Sequence, residues 1–393
     1  MAERLPFDTT DRSLATAAWS RLAEPGDPAA HLLVGAVGAG PALDWLVLAA
    51  QSWIAPPGVP DHPEWRRAVD RWAPRVQGLD PRRELDTIRR RDGYLLLPGA
   101  PQWPVALDDL GREAPLCLWV IGPAAPSGLC ASAVALVGSR ASTRYGEQVA
   151  AELATGLADA GVTVVSGGAF GIDAAAHRAA VAVEGPVLAV MAGGLDRYYP
   201  VANTAMLERV AQRGAVVAEA PPGTAPMRSR FLQRNRLIAA LSGATVVVEA
   251  AWRSGALNTA AHAGELLRPV GAVPGPVTSM ASAGCHRLLR EGAAVLVTDA
   301  AEVLELIQPV GSGGAEDPPV PAGLLDDLEP AQARVLDALP VRGSTSLEAL
   351  ARSSGLSPGE VRSALGFLEL GARVSRNGTT WRRSPTSGPK GGS

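Results

Sequence analysis

The chain has 393 residues, of which 47% are hydrophobic, and it carries a formal net charge of −3 at pH 7. This length predicts two or three domains, and the net charge excludes a general attraction to nucleic acid, so such binding would need a local basic patch. The sequence contains no run of 18 apolar residues, which argues against a membrane span. Its three cysteines form no C-x-x-C pair, which argues against a metal site or a disulfide framework and favours a cytoplasmic protein.

Residues 1–80 are predicted to form a small helical module. Apolar residues recur at helical spacing within 14–22 and 41–50. We interpret the Gly-rich turn between these segments as a connection between helices, although such a turn could also contact a DNA backbone. The Trp-rich stretch 52–78 follows without an assigned secondary structure, and we expect its tryptophans to pack in a core rather than stack on bases.

Residues 81–308 are predicted to form a Rossmann-like domain that begins with a connector. Short, continuous apolar runs alternate with helical segments, which is typical of strands buried on both faces of a mostly parallel sheet with helices on both sides. Strands are predicted at 93–97, 115–122, 133–137, 162–165, 186–191, 215–218, 244–249, 270–273 and 294–298. Helices are predicted near 145–160, 172–183, 202–213, 229–242, 255–268, 284–291 and 300–307. Ligands of such sheets bind at the carboxyl ends of the strands.

The C-terminal part begins with a linker at 309–325, which is rich in Gly and Pro. Residues 326–383 then give three helices and a hairpin that turns at Asn377-Gly378, which is the element order of a winged helix. The tail 384–393 is rich in Ser, Gly and Pro and is predicted to be disordered.

The turn Ser166–Asp173 joins a predicted strand to a predicted helix and contains three glycines. Glycines lack Cβ atoms, so a ligand can approach the main chain closely. The backbone N–H groups at the start of the helix would attract an anion. We therefore interpret this segment as a phosphate-binding turn.

An arginine-rich segment, residues 228–236, follows another predicted strand and contains four arginines. Arginine at a helix start opposes the helix dipole by about 0.3–1 kcal/mol per charge unless an anion is present. Because buried arginines need a partner, this segment favours an anion pocket. Pairing with acidic residues elsewhere in the chain is the simpler alternative.

Several motifs occur in a fixed order along the sequence. They are Gly138-Ser139-Arg140, the turn Ser166–Asp173, Gly193-Gly194-Leu195-Asp196, Phe231 with Arg234-Asn235-Arg236, and Ser254–Ala260. Over residues 93–300 they resemble the DNA-processing protein A (DprA/Smf) family. Members of that family often place lysines in the DNA pocket, whereas this chain has arginines there.

The resemblance implies an α/β fold: an extended Rossmann-like, mostly parallel sheet with helices on both faces, a small N-terminal helical (SAM-like) module and a C-terminal winged helix. It also implies a cytoplasmic homodimer that binds and protects single-stranded DNA and loads the RecA recombinase in DNA uptake, transformation and recombination. No catalytic residue, cofactor or metal is implied. The predicted DNA-binding residues are Gly138, Ser139, Arg140, Ser166, Gly167, Gly168, Phe170, Gly171, Arg228, Arg230, Phe231, Arg234, Asn235, Arg236, Ser254 and Gly255.

Three other sequence features point to alternative functions. A related group of Rossmann-like enzymes, the nucleotide 5′-monophosphate phosphoribohydrolases, shares the phosphate turn, but the catalytic Glu of its motif has no equivalent in 249–259. Asp173 and His177 could form an acid–base pair, although a structural contact on the helix is simpler. A winged helix that reads duplex DNA is a third possibility, yet the predicted helix 358–370 holds only Arg362 as a basic residue.

Overall fold

The computed structural model describes residues 5–308 and 328–384. The predicted linker 309–325 and residues 385–393 of the predicted tail lie outside the described residues. The described residues fall into two compact units, 5–308 and 328–384.

The first unit begins with five helices that pack around tryptophans. Trp19 and Trp72 meet edge to face with ring centroids 5.1 Å apart, and both rings are buried. The Trp-rich stretch therefore contributes to a core, and much of it forms a helix that contains Pro74 near its end. The helices are α1 (Arg12–Leu22), α2 (Pro28–Val37), α3 (Ala39–Gln51), α4 (Glu64–Val76) and α5 (Pro81–Arg89). Among the described helices, none is by itself long and apolar enough to cross a membrane; by length and composition alone, α2 and α3 would pass together as a pair bent by 116°.

A nine-stranded sheet forms the centre of the first unit. Its order is β1-β2-β6-β5-β4-β3-β7-β8-β9, and the strands from β6 to β9 along this order are parallel. The two strands of the connector pair antiparallel at one edge. In chain order the strands are β1 (Gly93–Leu96), β2 (Leu118–Ile121), β3 (Ala133–Gly138), β4 (Thr163–Ser166), β5 (Val187–Met191), β6 (Ala215–Ala218), β7 (Ala244–Glu249), β8 (Val270–Ala272) and β9 (Val295–Leu296). The predicted mostly parallel α/β sheet is thus confirmed.

Helices cover both faces of this sheet, and a hydrophobic core lies under each layer. These helices are α6 (Pro126–Cys130), α7 (Arg144–Asp159), α8 (Ile172–Ala182), α9 (Thr204–Arg213), α10 (Arg228–Ala240), α11 (Ala256–Glu265), α12 (Ala283–Arg290) and α13 (Ala300–Glu305). One core holds α7, α8 and α9 together with the N-terminal helices, and the other holds α10, α11 and α12.

The strand order places a topological switch point between β3 and β7. After β3 the chain adds β4, β5 and β6 in one direction, and α10 then returns it to β7 on the opposite side of β3. Loops that leave the carboxyl ends of β3 and β7 therefore diverge to opposite faces and leave a crevice between them.

The second unit is a winged helix, as predicted. It contains α14 (Pro330–Ala338), α15 (Leu347–Ser354), α16 (Pro358–Leu370), β10 (Thr345–Ser346), β11 (Val374–Asn377) and β12 (Thr380–Arg383). The predicted capping box at the start of α16 is present, because Ser357 and Glu360 each accept the other's backbone N–H. The short strand β10, which the sequence did not suggest, pairs with β12 of the hairpin.

Candidate nucleic-acid interface

A cavity of about 820 Å³ occupies the crevice at the switch point. Three segments supply most of its wall: the loop after β3, the loop after β7 and the N-terminal half of α10. The lining residues are Val137, Gly138, Ser139, Arg140, Ala141, Ala169, Asp173, Tyr199, Pro226, Arg228, Phe231, Leu232, Arg234, Asn235, Ile238, Ala251, Arg253, Ser254, Gly255, Ala256, Asn258 and Thr259. The structure therefore brings together residues that lie more than 100 positions apart in the sequence.

The lining of the cavity is strongly basic. It contains four arginines and one carboxylate, that of Asp173. Arg140, Arg228 and Arg253 are exposed, and within the described part of the chain none of them forms an ion pair. Three unpaired guanidinium groups around one concave surface suit a ligand with several anionic oxygens.

An aromatic platform lies inside this basic ring. The Arg140 guanidinium carbon is 4.3 Å from the centroid of the Phe231 ring, and the Tyr199 ring centroid is 5.9 Å from that of Phe231. Phe231 is half-buried and Tyr199 is exposed. The Arg140 contact holds the cation beside the ring through a cation–π interaction. The cavity thus combines a flat apolar surface with adjacent positive charge.

The Gly-rich turn is built differently from the predicted phosphate cradle. The buried Asp173 carboxylate accepts the N–H groups of Gly167 and Ala169, at 3.1 and 3.3 Å. These two donors are satisfied within the protein and are therefore not free to bind a phosphate. Burial raises the pKa of Asp173, which the nearby Arg234 and the two N–H groups partly offset. Asp173 therefore makes a structural contact: its carboxylate holds the turn in place.

Arg234 also holds the Gly-rich turn in place. Its Nη1 donates to the carbonyl oxygens of Gly167 and Val190, at 2.8 and 2.5 Å. Burial lowers the pKa of Arg234 to about 10, so the side chain stays protonated at neutral pH. Of the turn itself, Ala169 and Asp173 line the cavity, while Ser166, Gly167, Gly168, Phe170 and Gly171 do not.

We predict that Gly167→Ala damages the turn because a Cβ atom at this position would overlap the Arg234 guanidinium. Crowding of this kind costs about 1–3 kcal/mol. The free energy of unfolding in urea should fall by that amount. Gly264→Ala in α11 is the matched control, because its Cβ would meet open space, and that variant should be as stable as the wild type or slightly more stable. Equal stability of the Gly167→Ala variant would contradict this role.

Arg230 and Arg236, which were predicted to contact DNA, lie outside the cavity lining. Arg230 donates from Nε and Nη2 to the Glu24 carboxylate, each at 2.9 Å. The fully buried Arg236 donates to both Glu219 oxygens, at 2.9 and 2.7 Å. Both side chains pair with acidic residues elsewhere in the chain, which was the simpler alternative. Helical periodicity explains the separation: residues 228, 231, 232, 234, 235 and 238 line the cavity, whereas 230 and 236 lie on the remaining part of the helix surface.

The wall after β7 is organised by amides. Asn235 Nδ2 donates to Gly255 O at 3.2 Å and to Asn258 Oδ1 at 3.1 Å. This wall contains the predicted Ser254 and Gly255 and also Arg253, which sequence reasoning missed although it precedes the Ser-Gly motif directly. The buried Glu249 accepts the backbone N–H and the hydroxyl of Thr143, at 2.9 and 2.5 Å, and so fixes the start of α7 instead of facing a ligand.

Comparison with known proteins identifies the family. Residues 94–308 match the family model described as DNA recombination-mediator protein A, and residues 318–378 match the DprA winged helix domain. The chain belongs to the DprA/Smf family. The predicted family is confirmed, and with it the general role of a DNA-processing recombination mediator.

Individual DprA relatives cover most of the chain. A putative DNA processing protein DprA of Mycobacterium tuberculosis is 48% identical over 331 residues, which are 82% of each chain. A protein Smf of Synechocystis is 31% identical over 327 residues, which are 76% of this chain and 82% of the relative. The X-ray structure of DprA from Streptococcus pneumoniae superposes with a TM-score of 0.57 at 28% identity, covering 76% of this chain and 98% of that one.

Proposed function

We propose that this DprA-family protein binds single-stranded DNA in the cavity between the ends of β3 and β7. The observation that carries the proposal is the ring of exposed arginines, Arg140, Arg228 and Arg253, around the Phe231 platform. Proteins that bind single strands combine a positive groove along the backbone with aromatic rings on which bases stack. Both features are present in one cavity here.

A single strand fits this cavity better than a duplex does. The aromatic platform lies within a concave site, and only an unpaired base can leave its neighbours to stack there. The arginines would contact phosphates, which carry no sequence information. We therefore propose binding with little sequence preference.

We further propose that no bond is broken in the cavity, in contrast to the phosphoribohydrolase alternative. Asp173 supplies the one carboxylate of the lining, and it is occupied by two backbone N–H groups. His177 is fully buried outside the lining, and burial lowers its pKa to about 4, so it is neutral at pH 7. These features leave no free acid–base pair beside a bound phosphate. Release of adenine from AMP by the purified protein would contradict this proposal.

The central test compares single-stranded and duplex DNA in mobility-shift assays at several salt concentrations. If three arginines neutralise three phosphates, affinity for the single strand should fall about 20-fold between about 50 and 200 mM salt. Affinity that is independent of salt, or tighter for duplex, would overturn the proposal. A chain truncated before residue 326 should retain single-strand binding. If truncation abolishes binding, the winged helix would be the DNA-binding part.

We propose RecA loading as the step that follows DNA binding, in the cytoplasm, by a homodimer. Support comes from family membership and not from a described surface. RecA-driven strand exchange on DNA coated with single-strand-binding protein should become faster when this protein is added. Light scattering gives the molar mass and tests the dimer directly.

A further inference from the structure

The loop that follows β7 carries an exposed tryptophan outside the cavity. Trp252 is 47% exposed, whereas the other eight tryptophans, all within the described residues, are buried or half-buried. Its sequence neighbours Ala251 and Arg253 both line the cavity. A large aromatic ring therefore stands in solvent at the rim of the proposed DNA site.

Contacts with α12 hold this loop in place. The N–H of Gly284 donates to Ala250 O at 2.7 Å, and a Cβ atom on Gly284 would meet the carbonyl oxygens of Ala250 and Ala251. The Arg287 guanidinium carbon lies 5.2 Å from the Trp252 ring centroid, and Arg287 donates to Trp252 O at 3.4 Å. The ring is thus supported on one side by the Arg287 cation, and its loop is hydrogen-bonded to the start of α12.

The charge around Trp252 suits an anionic polymer. Arg253 lies on the cavity side, and Arg287 and Arg290 lie on α12. The acidic residue beside them is Glu291, whose carboxylate is 3.9 Å from Arg287 Nε and half exposed. Arg253 follows Trp252 directly and Arg287 contacts its ring, so two arginines against one carboxylate leave this rim positive, as the cavity itself is.

We propose that Trp252 is a second stacking platform, on which single-stranded DNA lays a base after leaving the cavity past Arg253. Arg253 and Arg287 then bind the phosphates on either side of that base. The inference rests on the proposed function, because it extends the same DNA path beyond the cavity. It distinguishes two parts of the site: short strands occupy the cavity alone, and longer strands also reach Trp252.

The test measures binding of oligothymidylates of about 4 and about 15 nucleotides, which span the range of common single-strand site sizes. Trp252→Ala should weaken binding of the longer strand about 5- to 150-fold and leave the shorter one unchanged. Trp252→Phe keeps an aromatic face and should restore most of the affinity. Because Trp252 is the exposed tryptophan, the longer strand should also quench the fluorescence of the wild type, and Trp252→Phe should remove that quenching.

Failure of this inference is distinguishable from failure of the proposed function. If Arg140→Ala loses affinity while Trp252→Ala binds the longer strand as the wild type does, the inference is overturned and the cavity proposal stands. If the wild type binds neither strand, the cavity proposal itself fails. If Trp252→Ala changes the molar mass in light scattering but not the DNA affinity, Trp252 is a protein contact and the inference is again overturned.

Discussion

Replacing Arg140 by alanine is expected to weaken binding of single-stranded DNA about 10- to 150-fold. This range corresponds to the loss of one charge-assisted hydrogen bond, about 1.5–3 kcal/mol. Arg140 is exposed, lines the cavity and lies 4.3 Å from the Phe231 ring centroid, so it can contact a phosphate beside a stacked base. The slope of log affinity against log salt should also become shallower by about 0.7, because one phosphate contact is lost.

Two further variants make this result specific. Arg140→Lys keeps the charge but loses the planar group that stacks on Phe231, so its affinity should fall between those of the wild type and Arg140→Ala. Arg67→Ala, which removes an exposed arginine of α4 outside the cavity lining, is the matched control for net charge and should bind as the wild type does. If Arg140→Ala and Arg67→Ala bind equally well, the cavity is not the DNA site.

Most of the sheet domain could be predicted from the sequence because its strands are buried on both faces. A strand in that setting is a short apolar run between turns, and the predicted bounds of β6 and β7 agree with the structure to the residue. The antiparallel pairing of β1 and β2 could not be predicted, since it depends on which edge strand of the parallel sheet is left without a neighbour. The helix α4 was missed because Pro63 at its N-cap and Pro74 near its end resemble the prolines of a loop.

The position of the cavity was predictable, but the role of each charge was not. Gly138-Ser139-Arg140, Phe231 and Ser254-Gly255 all line one cavity, as the rule for strand ends implies. The four arginines of 228–236 divide between that cavity and ion pairs because their partners, Glu24 and Glu219, are set by tertiary packing. A helical projection of α10 would have separated the residues that line the cavity from Arg230 and Arg236. The exposure of Trp252 could not be predicted, because no pattern in the neighbouring sequence indicates it.

The ion pair between Arg236 of α10 and Glu219, which lies outside the cavity lining, is expected to have a large effect on stability. Glu219→Gln should lower the free energy of unfolding by about 3–5 kcal/mol, because it leaves the Arg236 cation buried without a counter-charge. Burial raises the pKa of Glu219, while Arg236 and the Gly26 N–H lower it, so the carboxylate could shed its charge more easily than the guanidinium could. The buried Arg236 cation is therefore the group that is destabilised when its counter-charge is removed.

A second substitution separates this cause from simple loss of a hydrogen bond. In Glu219→Gln/Arg236→Met the buried cation is removed as well, and an apolar chain of similar length fills its place, so most of the lost stability should return in urea unfolding. If the double variant is less stable than Glu219→Gln alone, the cost lies in packing and not in an unpaired charge. Neither Glu219 nor Arg236 lines the cavity. The folded double variant should therefore bind single-stranded DNA as the wild type does, because Arg236 lies outside the cavity lining, whereas Arg228 and Arg234 of α10 line it.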